Sequence, residues 1–419
     1  MEKAEKKKGL ALHWQILIGI GLGITTGILL CRITPYDHWS PYIKWMGDIF
    51  LRGLRMIVIP VVFTSIALGV AGMGNSAALG RIAGKTILYY ITTTAIAATV
   101  GLTLVNIVKP GVGANLNLAE KVSSVGNGEM SFVDEIVSIV PSNIFESLSK
   151  GDLLPIIFFA VIFGLFMNKV DKKHADVLSG LFTAVYEVIM KITMFIIRLA
   201  PYGVFAIVTN VVGQQADNPQ ALLSMAGSLG VFVLVVWGGL LIQGGVVLPT
   251  LVRVIGKQNP WRHIAKMSTV LLTAFSTCSS GAALPINIRD SQEKCGISNK
   301  IASFVLPLGC TINMNGTALY ECVTAIFIAQ AYGIDLTLAQ QVMIVFTALL
   351  AAIGTAGIPM AGMVMLTIVL SAVGLPLEGI GLVLAVEQLC DMPRTCINTY
   401  GDSCGAVIIA HSEGETLTI

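Results

Sequence analysis

Charge is scarce in this chain. Asp, Glu, Lys and Arg make up only 12% of its 419 residues, about half the share found in a soluble globular domain, and the mean hydropathy is +0.81. The basic residues are too scattered to form a stripe interleaved with aromatics, which excludes a nucleic-acid footprint. The eight cysteines, Cys31, Cys278, Cys295, Cys310, Cys322, Cys390, Cys396 and Cys404, contain no C-x-x-C pair and no Cys/His metal spacing. They read as small apolar packing residues, with Cys278 set apart because it adjoins a candidate binding loop. No small-residue cleavage site follows the N-terminal lysines, so the first apolar segment is expected to stay as an anchor. No stretch reads as a soluble domain.

What the chain has instead is apolar length, with 55% of its residues hydrophobic. A helix needs about 20 predominantly apolar residues to cross a hydrocarbon core of about 30 Å, and roughly eight such spans fit. They fall near 10–31, 44–73, 86–108, 153–170, 177–213 with a kink at Pro201, 221–254, 297–331 and 378–410. The fold class is an all-α integral membrane protein. Lys3, Lys6, Lys7 and Lys8, ahead of the first span, put the N-terminus in the cytoplasm by the positive-inside bias. The segment 109–135, with PGVGAN and VGNGE, is polar and glycine-rich and reads as a loop outside the bilayer.

Against this apolar background one stretch, CDMPRTCINTYGD, stands out. Asp391, Arg394, Thr395, Asn398 and Asp402 lie at i, i+3, i+4, i+7 and i+11, which is one face of a helix. Ionisable groups at membrane depth lose their water at a cost and mark a functional site by default. The stripe is therefore the expected solute site; the alternative is a local Asp391–Arg394 ion pair. An aspartyl protease would need its two carboxylates close enough to share a proton. Eleven residues of helix, at about 1.5 Å each, hold Asp391 and Asp402 roughly 16 Å apart unless the helix breaks. A Ser279 or Ser280 nucleophile has no base evident nearby, so no enzyme is expected.

Two apolar stretches are broken in ways a plain span does not explain. TAFSTCSSGAALP gathers Ser276, Thr277, Ser279, Ser280 and Gly281, and AAIGTAGIPMAG carries Gly354, Gly357, Pro359 and Gly362. Both read as re-entrant hairpin tips, because non-helical backbone at membrane depth must be buried in protein or line a cavity. Matched broken segments point to a transporter's binding site. A third break, Asn313-Met314-Asn315-Gly316-Thr317, reads as unwound backbone whose carbonyls are open to a cation.

These four motifs, with LYYITTTAIA in the third span, resemble the dicarboxylate/amino acid:cation symporter family, which includes the excitatory amino acid transporters and archaeal aspartate transporters. The likeness extends over essentially the whole chain. It implies a homotrimer in the plasma membrane, in contact with lipid, with eight spans, two re-entrant hairpins and inverted repeats. It also implies an elevator. A transport domain of 86–108 (helix 3) and 221–411 (helices 6 to 8 and both hairpins) slides on a scaffold of 1–85 and 109–220, and 412–419 form a cytoplasmic tail.

The resemblance gives Arg394 the side-chain carboxylate of an acidic amino acid and Asp391 its ammonium group. Ser279, Ser280, Thr317, Thr395 and Asn398, with hairpin backbone that includes Gly362, hold the main-chain groups. The chemistry agrees: a guanidinium fork matches a carboxylate, and a desolvated aspartate seeks a cation. Family members for neutral amino acids lack the arginine, and C4-dicarboxylate members lack the aspartate. Keeping both points to aspartate or glutamate. For sodium, the resemblance implies one position at Gly309, Asn313, Asn398 and Asp402, and a second at Thr311, Ala352, Ile353 and Thr355. A third would lie at Tyr90, Thr93, Thr94, Asn313 and residue 315.

Position 315 is usually aspartate in that family and here is Asn315, which removes the anion from a buried cation site. Glu321, four residues past Thr317 on the same face, matches the glutamate that carries a proton in the excitatory transporters; its bland alternative is a bond to a neighbouring hydroxyl. Cys278 stands where the family has serine or arginine. Pro393 lacks an N–H for the Leu389 carbonyl and is expected to bend the last helix.

Overall fold

The computed structural model describes residues 12–71, 77–112, 137, 140–150, 153–215, 219–354 and 361–419. The N-terminal lysines, most of the loop expected at 109–135, and the tip of the second hairpin at 355–360 lie outside them. Among the described residues every regular element is helical. In chain order they are α1 (Leu12–Ile33), α2 (Tyr36–Ala71), α3 (Ala77–Val108), α4 (Ile144–Lys150), α5 (Leu153–Met167), α6 (Lys172–Arg198) and α7 (Ala200–Gln215). Next, α8 (Pro219–Ile242) runs through a π-turn at Gln243–Val247 into α9 (Leu248–Val254). Then come α10 (Pro260–Thr277), α11 (Ser280–Glu293), α12 (Asn299–Ile312), α13 (Asn315–Ala331), α14 (Leu338–Gly354), α15 (Ala361–Ala372), α16 (Ile380–Leu384) and α17 (Glu387–Ser412).

Among the described residues, four helical stretches are long and apolar enough by themselves to cross a membrane, Trp14–Ile33, Arg81–Val108, Lys172–Arg198 and Leu223–Val254. The last helix, α17, is not one of them. In α17 the reason is physical: its polar face is buried against protein and not lipid, so it need not be apolar all round. Boundaries also differ. The second and third helices start at Tyr36 and Ala77, earlier than 44 and 86. The expected kinked span 177–213 is two helices parted at Leu199, because Pro201 offers no N–H to continue the ladder and the chain tightens there through Leu199 N–H to Ile196 O (2.9 Å). The expected span 297–331 parts at Asn313 and Met314 into α12 and α13, where the break was expected.

The densest helix contacts form two sets, which also touch each other where α2 meets α14 and α15 and where α7 meets α16. α1 lies on α7, and α2 packs against α5, α6 and α7. α17 is ringed by α10, α11, α12 and α13, while α3 packs against α8, α13 and α14. The first group is held by close backbone approach: Cβ atoms on Gly19, Gly23 and Gly27 would stand 2.6, 2.9 and 2.9 Å from the carbonyl oxygens of Pro201, Phe205 and Thr209. Small residues four apart let helices meet this closely without lipid between them. Gly23→Val should push α1 off α7 and cost about 1–3 kcal/mol of overpacking, read as a lower melting temperature of the detergent-solubilised protein. An unchanged melting temperature would mean the contact carries no stability.

At one end of the second group, Arg81 and Lys85 of α3 reach Glu413, just past α17, at 2.5 and 2.6 Å. The hydrogen bonds from Arg81 and then Lys85 hold its carboxyl down to about 2. A depressed carboxyl stabilises the fold above the ordinary carboxylate range, and this tie is lost only as pH falls towards about 2. Nearby, Lys266 donates to Thr418 O (2.6 Å) and Thr418 N–H to Cys295 O (3.1 Å). These contacts tie the base of the α10–α11 hairpin to the residues beyond α17.

Candidate functional site

The polar stripe of α17 is buried as a unit, with Asp391, Arg394, Thr395, Asn398 and Asp402 each at most 5% exposed. The helix runs unbroken from Glu387 to Ser412 through Pro393, so the two aspartates stay three turns apart and no protease dyad forms. The carbonyl of Leu389, which Pro393 leaves without its helical donor, receives Trp237 Nε1 at 3.0 Å. The proline thus gains a cross-link to α8 in place of an intrahelical bond.

Arg394 is the centre of the cluster. Its Nη2 donates to Asp391 Oδ1 and to Glu387 Oε1, both at 2.8 Å, and Thr395 donates to the same Asp391 oxygen (3.1 Å). The Tyr320 ring lies under the guanidinium, 4.5 Å from Cζ, a cation–π contact that helps hold a desolvated charge. The other nitrogen, Nη1, is buried with no hydrogen-bond partner and faces Gly362, where a Cβ would come within 2.8 Å of it. The local Asp391–Arg394 pair is therefore real, yet it uses one side of the fork and leaves the other open toward α15. An orphaned guanidinium nitrogen is costly to bury, and it leaves a donor open to an acceptor.

The remaining residues are brought in from other helices. Asn398 Nδ2 donates to Thr317 Oγ1 (3.1 Å), and its Oδ1 accepts from Gly316 N–H (2.7 Å), so the break before α13 docks on α17. Thr399 donates to Ser280 Oγ (3.2 Å). Ser279 instead caps α11, accepting from Ala282 N–H at 3.2 Å. Between the two arms Cys278 takes a left-handed φ of 51°, and its sulfur accepts from Gln388 Nε2 at 3.0 Å. The expected hairpin turn is thus present and pinned to α17. Glu321 is fully buried, and among the described residues neither of its carboxyl oxygens has a hydrogen-bond partner. Arg394 and Glu387 lie within its electrostatic reach.

Sequence reasoning missed Glu387 and Tyr320. Glu387 sits four residues before Asp391 and continues the same stripe by one more helical step, so the offset rule would have found it. It was hidden because an acid in the first turn of a helix also reads as an ordinary end charge. Tyr320 gave no local signal, since its partner is in another helix.

The oxygen-rich positions differ in how well they suit a cation. Asp402 is 2% exposed and forms no salt bridge among the described residues; Asn313 Nδ2 donates to its Oδ1 at 2.8 Å, and Gly309 lies against it. A buried carboxylate without a cationic partner, beside backbone carbonyls, fits sodium. Of the second set, Thr311 lies in the last turn of α12 and Ala352 is buried near the end of α14. The Ile353 side chain and Thr355 lie outside the described residues. Tyr90, Thr93, Thr94, Asn313 and Asn315 are gathered in one place and buried. No group of three or more His, Cys, Asp or Glu among the described residues is placed for a transition metal.

Comparison with known proteins agrees with this geometry. Residues 12–412 match the profile of the sodium:dicarboxylate symporter family. The chain is 38% identical to a proton/sodium-glutamate symport protein of Bacillus caldotenax, over 98% of this chain and 96% of that one. It is 36% identical to a proton/glutamate-aspartate symporter of Escherichia coli, covering 96% and 93%. It is 32% identical to human excitatory amino acid transporter 3, covering 97% and 86%. A match of that extent, across a buried polar stripe and the helical breaks that dock on it, shows that the chain belongs to the sodium:dicarboxylate symporter family.

Proposed function

We propose that this protein is a secondary active transporter that imports aspartate or glutamate across the plasma membrane, driven by sodium and proton gradients. Family membership makes it a multi-pass membrane transporter and not an enzyme. The observation that carries the substrate class is the divided guanidinium: Nη2 of Arg394 is held by Glu387 and Asp391 while Nη1 is unpaired. A substrate carboxylate at Nη1 and a substrate ammonium at Asp391 complete both partial pairs. A neutral amino acid would leave Nη1 unmatched, whereas an acidic amino acid brings a carboxylate to it and an ammonium to Asp391, which already shares Nη2. Thr317, Thr395, Asn398 and Ser280 would hold the main-chain carboxylate and amine, with Ser279 and Gly362 supplying backbone at the rim.

Glu321 would carry the proton. A carboxyl with no partner in a dry site is poised to be neutral when loaded and charged when released. Gly309, Asn313, Asn398 and Asp402 would hold one sodium, and Thr311, Ala352, Ile353 and Thr355 a second. The two packing groups support an elevator: 86–108 and 221–411 would move as the transport domain against a trimer-forming scaffold of 1–85 and 109–220. Residues 412–419 and the N-terminus would lie in the cytoplasm. Purified protein in liposomes, given labelled aspartate, glutamate, succinate and alanine under separately imposed sodium and proton gradients, tests the reading. Concentrative uptake of the acidic amino acids alone is expected; uptake of succinate or alanine in their place would overturn it.

A further inference from the structure

Glu387 and Asp391, which hold Nη2 of Arg394 at 2.8 Å, bracket the first turn of α17. That turn is weakly secured from within. No side chain caps the helix at Val386, and Pro393 has no N–H to close the helical bond to the Leu389 carbonyl. The turn is secured from outside instead. Gln388 Nε2 donates to Cys278 Sγ, between the arms of the α10–α11 hairpin, and Trp237 Nε1 of α8 donates to Leu389 O, both at 3.0 Å. Two consecutive residues between the two acids are thus tied to different parts of the fold.

Tryptophan is enriched at the two membrane–water interfaces, where its N–H reaches a wet partner. Trp237 lies instead near the middle of Leu223–Val254, a stretch long and apolar enough to span the bilayer. At that depth no water satisfies a free indole N–H or a free carbonyl, and each would be costly. The two deficits cancel: the donor on α8 meets the acceptor that Pro393 leaves over. Trp237 and Leu389 are each 41% exposed, so close packing alone does not set their separation and the hydrogen bond does.

We propose that Trp237 is a positioning residue for the solute site: through Leu389 O it fixes the turn of α17 that aims Glu387 and Asp391 at Arg394, and Pro393 makes that bond necessary. What the site binds rests on the symporter reading. Without the indole N–H the carbonyl must turn to find another donor, and Glu387 and Asp391, two residues to either side of Leu389, move with it. Ordering the turn again on binding then costs affinity. Trp237→Phe keeps an aromatic ring and removes the N–H, while Pro393→Ala gives residue 393 an N–H for Leu389 O. Equilibrium binding of labelled aspartate to the purified full chain in detergent, at saturating sodium, is measured for the parent, both single variants and the double variant. Trp237→Phe should weaken binding about tenfold in the parent and by less than about twofold in the Pro393→Ala background, where the backbone satisfies the carbonyl itself. Equal losses in both backgrounds, or no loss in either, overturn the proposal. So does a Trp237→Phe protein that melts earlier while its folded fraction keeps the parent's affinity, because that is a structural role alone. Should Trp237→Phe fail to fold, the double variant decides: it must fold and bind as Pro393→Ala does, or the proposal fails. A parent that binds no aspartate refutes the substrate reading instead, and the same cycle is then read with the solute that the liposome assay identifies.

Discussion

Arg394→Cys should lose acidic substrates and gain some affinity for serine or alanine. Without the guanidinium, the substrate's side-chain carboxylate would be buried with no partner, at roughly 3–5 kcal/mol, or two to three powers of ten in affinity. The same substitution takes away the guanidinium nitrogen that Glu387 and Asp391 share, so a loss of folded protein is also expected. Adding Glu387→Gln removes one of those charges. The double variant should recover folded yield and melting temperature while acidic substrates remain excluded. Competition against a labelled neutral amino acid reads the specificity, and unchanged aspartate affinity in Arg394→Cys would remove Arg394 from the substrate site.

Glu321→Gln should separate two steps that a folding defect would abolish together. The amide imitates the protonated carboxyl permanently, so substrate binding and exchange of internal for external substrate should persist. Net uptake requires the empty carrier to return with Glu321 ionised, and it should fall to background. The structure sharpens this expectation, since neither carboxyl oxygen has a hydrogen-bond partner and Arg394 and Glu387 are within electrostatic reach. On the proposed reading Arg394 would change partners as substrate leaves, which would link a proton at Glu321 to occupancy of the pocket through charge. Net uptake in Glu321→Gln with the parent's pH dependence would return Glu321 to a structural role.

The clearest successes of sequence reading concern single helices. The α17 stripe could be read because helical periodicity is local: offsets of three, four, seven and eleven fix a shared face whatever surrounds it. The break at Asn313 and Met314 was legible for a similar reason, since two amides and a glycine interrupt an apolar run. The two prolines had different outcomes: the helix parts beside Pro201, where a kink was expected, and α17 is not interrupted at Pro393. One proline ends a helix at Leu199, whereas the other is carried through because Trp237 from α8 supplies the hydrogen bond that the backbone lacks.

Sequence by itself determined that this chain lives in a membrane, that it is helical, and that Asp391, Arg394, Thr395, Asn398 and Asp402 share a face. Tertiary structure alone decided which atoms of that face are spoken for. Among the described residues, Nη2 of Arg394 is held by Glu387 and Asp391 while Nη1 has no hydrogen-bond partner; Asp402 accepts from Asn313; Asn315 Oδ1 accepts from Thr94. The reason is that composition and periodicity are properties of a segment, while the pairing of a buried donor or acceptor depends on which other helix arrives opposite it, and in a dry interior one hydrogen-bond partner more or less decides what can bind.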